Sequence, residues 1–220
     1  MSPAAGAPRL LPAGDRAWLL EAPDDAGARR APRFARELTE DPPTGVEDVL
    51  PAARTVLVTL RPGADASAVA REVLRRWASP PAADEAAFAA SADVVTVPVR
   101  YDGEDLADVA ALLGTSPEDV VAQHTGTTWE CAFVGFAPGF GYLRSPDGRL
   151  NVPRRAQSRT AVPAGAVALA DGYSAVYPRR SPGGWQVIGT TAAVLWDVDA
   201  EPPALLRPGT GVRFVREEDA

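Results

Sequence analysis

A chain of 220 residues with 46% hydrophobic side chains can bury a core as one large domain or two small ones, and its net charge of −7 argues against non-specific nucleic-acid binding. All 22 basic residues are arginine, which excludes a P-loop lysine, a Schiff-base lysine and a lysine general base. The single cysteine, Cys131, excludes an intrachain disulfide framework and a cysteine-pair metal site and fits a reducing cytosol; no apolar run reaches the roughly 18 residues of a membrane span, and the first ten residues carry no apolar stretch of a secretory signal.

In chain order, residues 16–21 read as a strand. Residues 28–40 read as a helix, with Phe34 and Leu38 four apart, and residues 41–45 (Asp-Pro-Pro-Thr-Gly) stop it. Two strands follow at 46–50 and 54–60, the second rich in β-branched residues, then a turn at 61–63. Residues 67–78 read as a helix with Val69, Val73, Leu74 and Trp77 on one face. Small residues and prolines over 79–91 read as a linker, which places one domain at 1–90 and a second at 91–220.

The second part opens with a strand at 94–100 and a helix at 104–113 ended by Gly114. Ser116-Pro117-Glu118-Asp119 has the signature of a helix start, with serine as cap, proline at the first turn and acids beside the macrodipole. That helix ends near His124. From Trp129 the pattern turns to short strands between Gly/Pro turns, with candidates at 166–170, 174–177, 185–188, 193–198 and 212–215. Such a series predicts a closed or nearly closed barrel, and residues 135–142 are too rich in glycine and proline to continue a central strand.

Chemistry concentrates between Phe133 and Thr191. From Arg144 to Arg180 seven arginines face two aspartates, a basic segment in an acidic chain and a natural place for an anionic ligand. Arg154, Arg155 and Arg159 cluster after Pro153, where planar guanidiniums suit carboxylate or phosphate; pairing with acids elsewhere is the alternative. Ser181-Pro182-Gly183-Gly184-Trp185 is a turn whose amides could form an anion nest. His124, the one histidine, falls at a helix C-terminus, where the dipole favours its protonated form. It is either a capping residue or a ligand contact or proton carrier. Cys131 reads as a small buried hydrophobe.

Taken in order, these segments resemble the family that comprises the 5-oxoprolinase B subunits, the kinase inhibitor KipI and allophanate hydrolase subunit 1. The resemblance runs through residues 11–17 and 45–52, is densest at His124-Thr125, 132–140 and Pro153-Arg154-Arg155, and continues through 159–165, 177–189 and 203–209. The chain departs from the family's pattern at Gly141, Ser158, Ala166, 171–175 and 189–191.

The resemblance implies an α+β fold, a small α/β N-terminal domain followed by a cyclophilin-like β-barrel domain. It implies a cytoplasmic component, inactive alone, of a complex that hydrolyses 5-oxoproline to glutamate with ATP and its Mg²⁺. Its implied partners are the A subunit and the C subunit of 5-oxoprolinase, the latter with a homologous barrel. A KipI-like inhibitor of a histidine kinase, or a component that works on a related amide such as allophanate, is the alternative. For the favoured activity, Arg154, Arg155 and Arg159 are the expected anion binders and His124 the substrate contact or proton carrier. Gly139, Tyr177, Gly183, Gly184, Trp185, Gln186 and Thr191 are expected to shape the pocket. No metal ligands are identified.

Overall fold

A computed structural model of the chain describes residues 7–79 and 94–217. The chain divides into two compact units between Asp84 and Glu85. The boundary expected at 90/91, and all of the expected linker except Ser79, lie outside the described residues.

The first unit runs β1 (Arg9–Pro12), β2 (Ala17–Glu21), α1 (Asp25–Glu40), β3 (Val46–Pro51), β4 (Thr55–Leu60) and α2 (Ala66–Ala78). The strands form an antiparallel sheet in the order β1-β2-β4-β3. Alternation along β4 sends Val56, Val58 and Leu60 into the core, where Phe34 and Leu38 of α1 and Val69, Val73 and Trp77 of α2 meet them. Phe34 and Trp77 meet edge to face at 4.9 Å. Asp24 caps α1 by accepting from the Gly27 N–H at 2.7 Å, and Asp65 caps α2 by accepting from the Ala68 N–H at 3.0 Å. β1 has no counterpart among the expected strands. It is a four-residue edge strand ending in proline, a residue that a sheet tolerates only at its margin.

The second unit begins with β5 (Val94–Val99), α3 (Leu106–Leu113), α4 (Pro117–Gly126), β6 (Thr128–Val134) and β7 (Gly141–Arg144). It continues with β8 (Arg159–Val162), β9 (Ala166–Ala170), β10 (Tyr173–Val176), β11 (Ser181–Gly183), β12 (Gln186–Thr190) and β13 (Gly211–Arg216). Seven strands form one sheet in the order β12-β9-β10-β7-β6-β13-β5, and β8 pairs with β11 separately. Past the end of β5, Arg100 and Thr190 exchange both backbone hydrogen bonds at 2.8 Å, so the sheet's two edges meet and the barrel nearly closes. Gly103 continues this seam. Its N–H reaches the Ile188 carbonyl at 3.2 Å, and a Cβ there would lie 2.2 Å from the Ile188 backbone, so only glycine fits.

Every residue of β9 is buried because both faces of the sheet are covered there. Val167 and Leu169 join the main barrel core with Leu143, Val176, Ile188 and Phe214. Ala166, Ala168 and Ala170 face the other way and, with Ala175, make a flat floor under Phe140, Tyr177 and Trp185. The β9–β10 connection is Asp171-Gly172, with φ of 51° and 79°, the Asp-Gly hairpin whose two left-handed residues match the strands' twist.

Two expectations are corrected. Residues 193–198 form no strand; Trp196 makes an isolated bridge with Ala204, and Val194 and Val198 are exposed because no neighbouring strand receives them. The glycine-rich loop ends at Phe140, since Gly141–Arg144 pairs with both β6 and β10. Among the described residues no helix is long and apolar enough to cross a membrane.

Candidate functional site

The predicted arginine cluster is held by an acid that the sequence did not single out. Asp105 lies at the N-cap position of α3 and is 1% exposed. Its carboxylate accepts from Arg159 Nη2 at 2.7 and 2.8 Å, from the Val187 N–H at 2.7 Å, and from Arg155 Nη1. Arg159 also pairs with Glu104 at 2.7 Å. Two of the three arginines expected to bind anions therefore have a carboxylate of the chain itself as their anion. The signal that could have found Asp105 is an acid pair, Glu104-Asp105, at the mouth of a helix in a barrel whose long loop is short of acids.

Arg154 is placed differently. Its side chain is 59% exposed and pairs with the half-exposed Asp171 at 2.9 Å. Beside it lies the aromatic face above the alanine floor. Phe133 stacks on Tyr142 at 4.3 Å, and Tyr142 meets Tyr173 edge-on at 5.9 Å and Trp185 at 5.7 Å. Tyr177 sits under Phe140 at 5.3 Å, with Phe136 at 6.4 Å. Burial raises the phenol pKa of Tyr142, Tyr173 and Tyr177, so all three hydroxyls stay protonated and can donate; Arg154 opposes the rise at Tyr142 and Tyr177.

The other expected pocket residues fall into four settings. Gly183 and Gly184 are close-packing positions: a Cβ on Gly183 would lie 2.3 Å from the Tyr177 hydroxyl, and one on Gly184 2.8 Å from Ser158 Oγ. Gln186 is buried and donates to the Pro153 carbonyl at 3.1 Å, which ties β12 to the arginine loop. Gly139 lines a separate apolar hollow of about 320 Å³ with Phe136, Trp196, Leu206 and Pro208. Thr191 is a turn residue; its Oγ1 accepts from the Ala193 N–H at 3.2 Å and its N–H donates to the Gly165 carbonyl at 2.8 Å.

His124 is fully buried on the barrel core, stacked on Phe214 at 4.2 Å. Its Nδ1 lies 2.7 Å from the Tyr101 hydroxyl and its Nε2 2.9 Å from Ser174 Oγ. A phenol is the better donor of the two hydroxyls, which makes Nδ1 the acceptor and leaves Nε2–H to donate to Ser174. Burial pulls the histidine pKa down to about 3, against the helix-dipole expectation of a protonated ring. The ring is neutral and fully buried, with each nitrogen engaged by a hydroxyl. Cys131 is buried as expected, its thiol pushed up to about 12 by burial first and by Glu130 second.

A profile of the carboxyltransferase domain, subdomain C and D, matches residues 8–206. The B subunit of 5-oxoprolinase from Escherichia coli O157:H7 is 38% identical over 197 residues, 88% of each chain. The chain belongs to the family of 5-oxoprolinase B subunits. The crystal structure of TTHA0988 superposes with a TM-score of 0.72 at 35% identity, covering 93% of this chain. This chain spans 40% of the TTHA0988 chain. The K. lactis urea amidolyase shares the fold, with a TM-score of 0.71 over 98% of this chain at 17% identity. In this member of the 5-oxoprolinase B family the site reduces to a buried Asp105–arginine network and a largely buried aromatic cluster beside the exposed Arg154. Among the described residues no group of three or more His, Cys, Asp or Glu could hold a metal ion.

Proposed function

We propose that this chain is the B component of a cytoplasmic, ATP-dependent 5-oxoprolinase, which opens 5-oxoproline to glutamate together with an A component and a C component of homologous barrel fold. The observation that carries the reading is the match to a 5-oxoprolinase B subunit that spans 88% of both chains.

The reaction needs coupling because a five-membered lactam is a stable amide. Transfer of the γ-phosphoryl group of ATP to the lactam oxygen makes the ring carbon electrophilic. Water then adds to that carbon and the C–N bond breaks, the nitrogen leaving as the protonated amine and the carbon becoming an acyl phosphate, which a second water cleaves to the new carboxylate and phosphate. Catalysis of this kind is positioning and electrostatic stabilisation of developing charge. Arg155 and Arg159 already satisfy Asp105, so they fit a structural role better than a phosphate cradle. Arg154, Arg179 and Arg180 are exposed, and the last two form no ion pair among the described residues, so within the basic segment these three can meet an anion. The nucleotide site is completed in this reading by the partner proteins.

The test is reconstitution. Purified chain mixed with candidate A and C components is expected to give ADP and glutamate only when 5-oxoproline, ATP and all three proteins are present. If no combination shows ATP hydrolysis that depends on 5-oxoproline, the reading fails.

A further inference from the structure

On the reading that 5-oxoproline is the substrate, we propose that the surface made by Arg154, Asp171, Tyr142 and Tyr173 is its binding subsite, with Arg154 receiving the carboxylate, Tyr142 and Tyr173 contacting the lactam, and Asp171 acting as a built-in competitor for Arg154.

Four observations support it. First, Arg154 is a fork of donors, and its ion-pair partner among the described residues, Asp171, sits at the surface and can be exchanged for a ligand carboxylate without burying a charge. Second, neither the Tyr142 nor the Tyr173 hydroxyl makes a hydrogen bond among the described residues. Both rings are half-buried and carry protonated, donating hydroxyls beside Arg154 and Asp171. Third, the two tyrosines are held in place by aromatic packing: Tyr142 stacks on the buried Phe133 and meets Tyr173 and the buried Trp185 edge-on, so the partly exposed tyrosines form an apolar wall beside Arg154. Fourth, the face is rigid. The Asp171-Gly172 hairpin fixes Asp171, and Arg155, next to Arg154, is tied both to Asp105 and, through its N–H, to the Gly184 carbonyl at 2.7 Å.

The ligand chemistry follows from this set. A fork of donors takes a carboxylate; the edges of partly exposed aromatic rings take the methylenes of a small ring; phenol hydroxyls donate to a carbonyl oxygen. A lactam bearing a carboxylate next to the ring nitrogen presents all three within one small molecule. The two phenols then polarise the carbonyl whose oxygen is to be phosphorylated.

The experiment uses the full chain and the reconstituted complex. In saturation-transfer NMR with the chain alone, 5-oxoproline is expected to bind and 2-pyrrolidinone, which lacks the carboxylate, to bind at least tenfold more weakly. Arg154→Gln should weaken 5-oxoproline binding tenfold or more, the effect of deleting a charge-assisted pair, and leave 2-pyrrolidinone unchanged. Asp171→Asn should tighten 5-oxoproline binding, since it frees Arg154 and removes a like charge. Asparagine also accepts the left-handed turn, so folding is preserved. In the complex, Arg154→Gln should raise KM for 5-oxoproline tenfold or more with KM for ATP unchanged. An active complex whose 5-oxoproline KM moves less than twofold in Arg154→Gln overturns the subsite and leaves the function standing. A wild-type complex inactive on 5-oxoproline, with binding to the chain still sensitive to Arg154, overturns the function and leaves the subsite.

Discussion

Asp105→Asn should cost the barrel unit about 3 kcal/mol. The carboxylate is 2% exposed as a side chain and accepts from two arginines and the Val187 N–H. Breaking a buried ion pair by removing one partner costs about 3–5 kcal/mol, because the remaining charge is left uncompensated. The lower end applies here for two reasons. Arg155 is 33% exposed and can turn to water, and Arg159 keeps Glu104 at 2.7 Å. The amide that replaces the carboxylate also aims N–H donors at N–H donors. With about 2–4 °C lost per kcal/mol in a chain of this size, the midpoint should fall by about 6–12 °C in thermal unfolding followed by near-UV circular dichroism. A double-mutant cycle sharpens the test. Asp105→Asn combined with Arg159→Gln should cost clearly less than the sum of the singles, since both act on one network. A loss below about 1 kcal/mol, or strict additivity, would refute the view that Asp105 holds the arginine loop onto β12.

His124 has a folded pKa of about 3 against an ordinary 6.5, so protons bind the unfolded chain first as pH falls. Its contribution to stability is intact above pH 6.5 and is withdrawn progressively from there down to about pH 3. Urea midpoints measured across that window should fall steeply for the wild type and less steeply for His124→Gln; equal slopes would show that the ring does not titrate between the two states. Cys131, with its thiol pushed up to about 12 in the core, should resist a thiol reagent at about pH 8 in the native protein and react at once in denaturant. Gly103→Ala should destabilise the barrel by about 1–3 kcal/mol or more, because the new methyl meets backbone rather than a movable side chain; a midpoint unchanged from wild type would contradict the close approach at the seam.

The parts of the fold legible in the sequence are those set by local pattern. Ser116 with Asp119 marks the start of α4 through a capping box that the structure contains, and Gly114 ends α3 in the left-handed conformation. The β-branched run of β4 is a central strand. What local pattern cannot show is partnership. Residues 193–198 have strand composition, yet no sheet edge lies beside them to complete the pairing. Gly141–Arg144 begins with glycine, yet β6 and β10 offer edges on both sides, so it pairs. The barrel's closing seam runs from Arg100, the last residue of the expected strand, to Gly103, and nothing local names Thr190 and Ile188 as their partners.

The candidate site follows the same rule and changes the meaning of the basic segment. Seven arginines between 144 and 180 against two aspartates describe a cationic surface when only the segment is counted. In three dimensions Arg144 approaches Glu130 at 3.7 Å, Arg149 pairs with Asp147, Arg154 with Asp171, and Arg155 and Arg159 share Asp105. Two of these acids, Glu130 and Asp105, lie outside the segment and are brought in by β6 and by the turn into α3. Their arrival turns a diffuse positive field into specific ion pairs. Most such pairs at the surface hold little energy, which makes Arg154–Asp171 easy to exchange, whereas the buried Asp105 network is costly to open. That difference in cost, rather than the count of arginines, separates the residue free to meet a ligand from those that hold its loop in place.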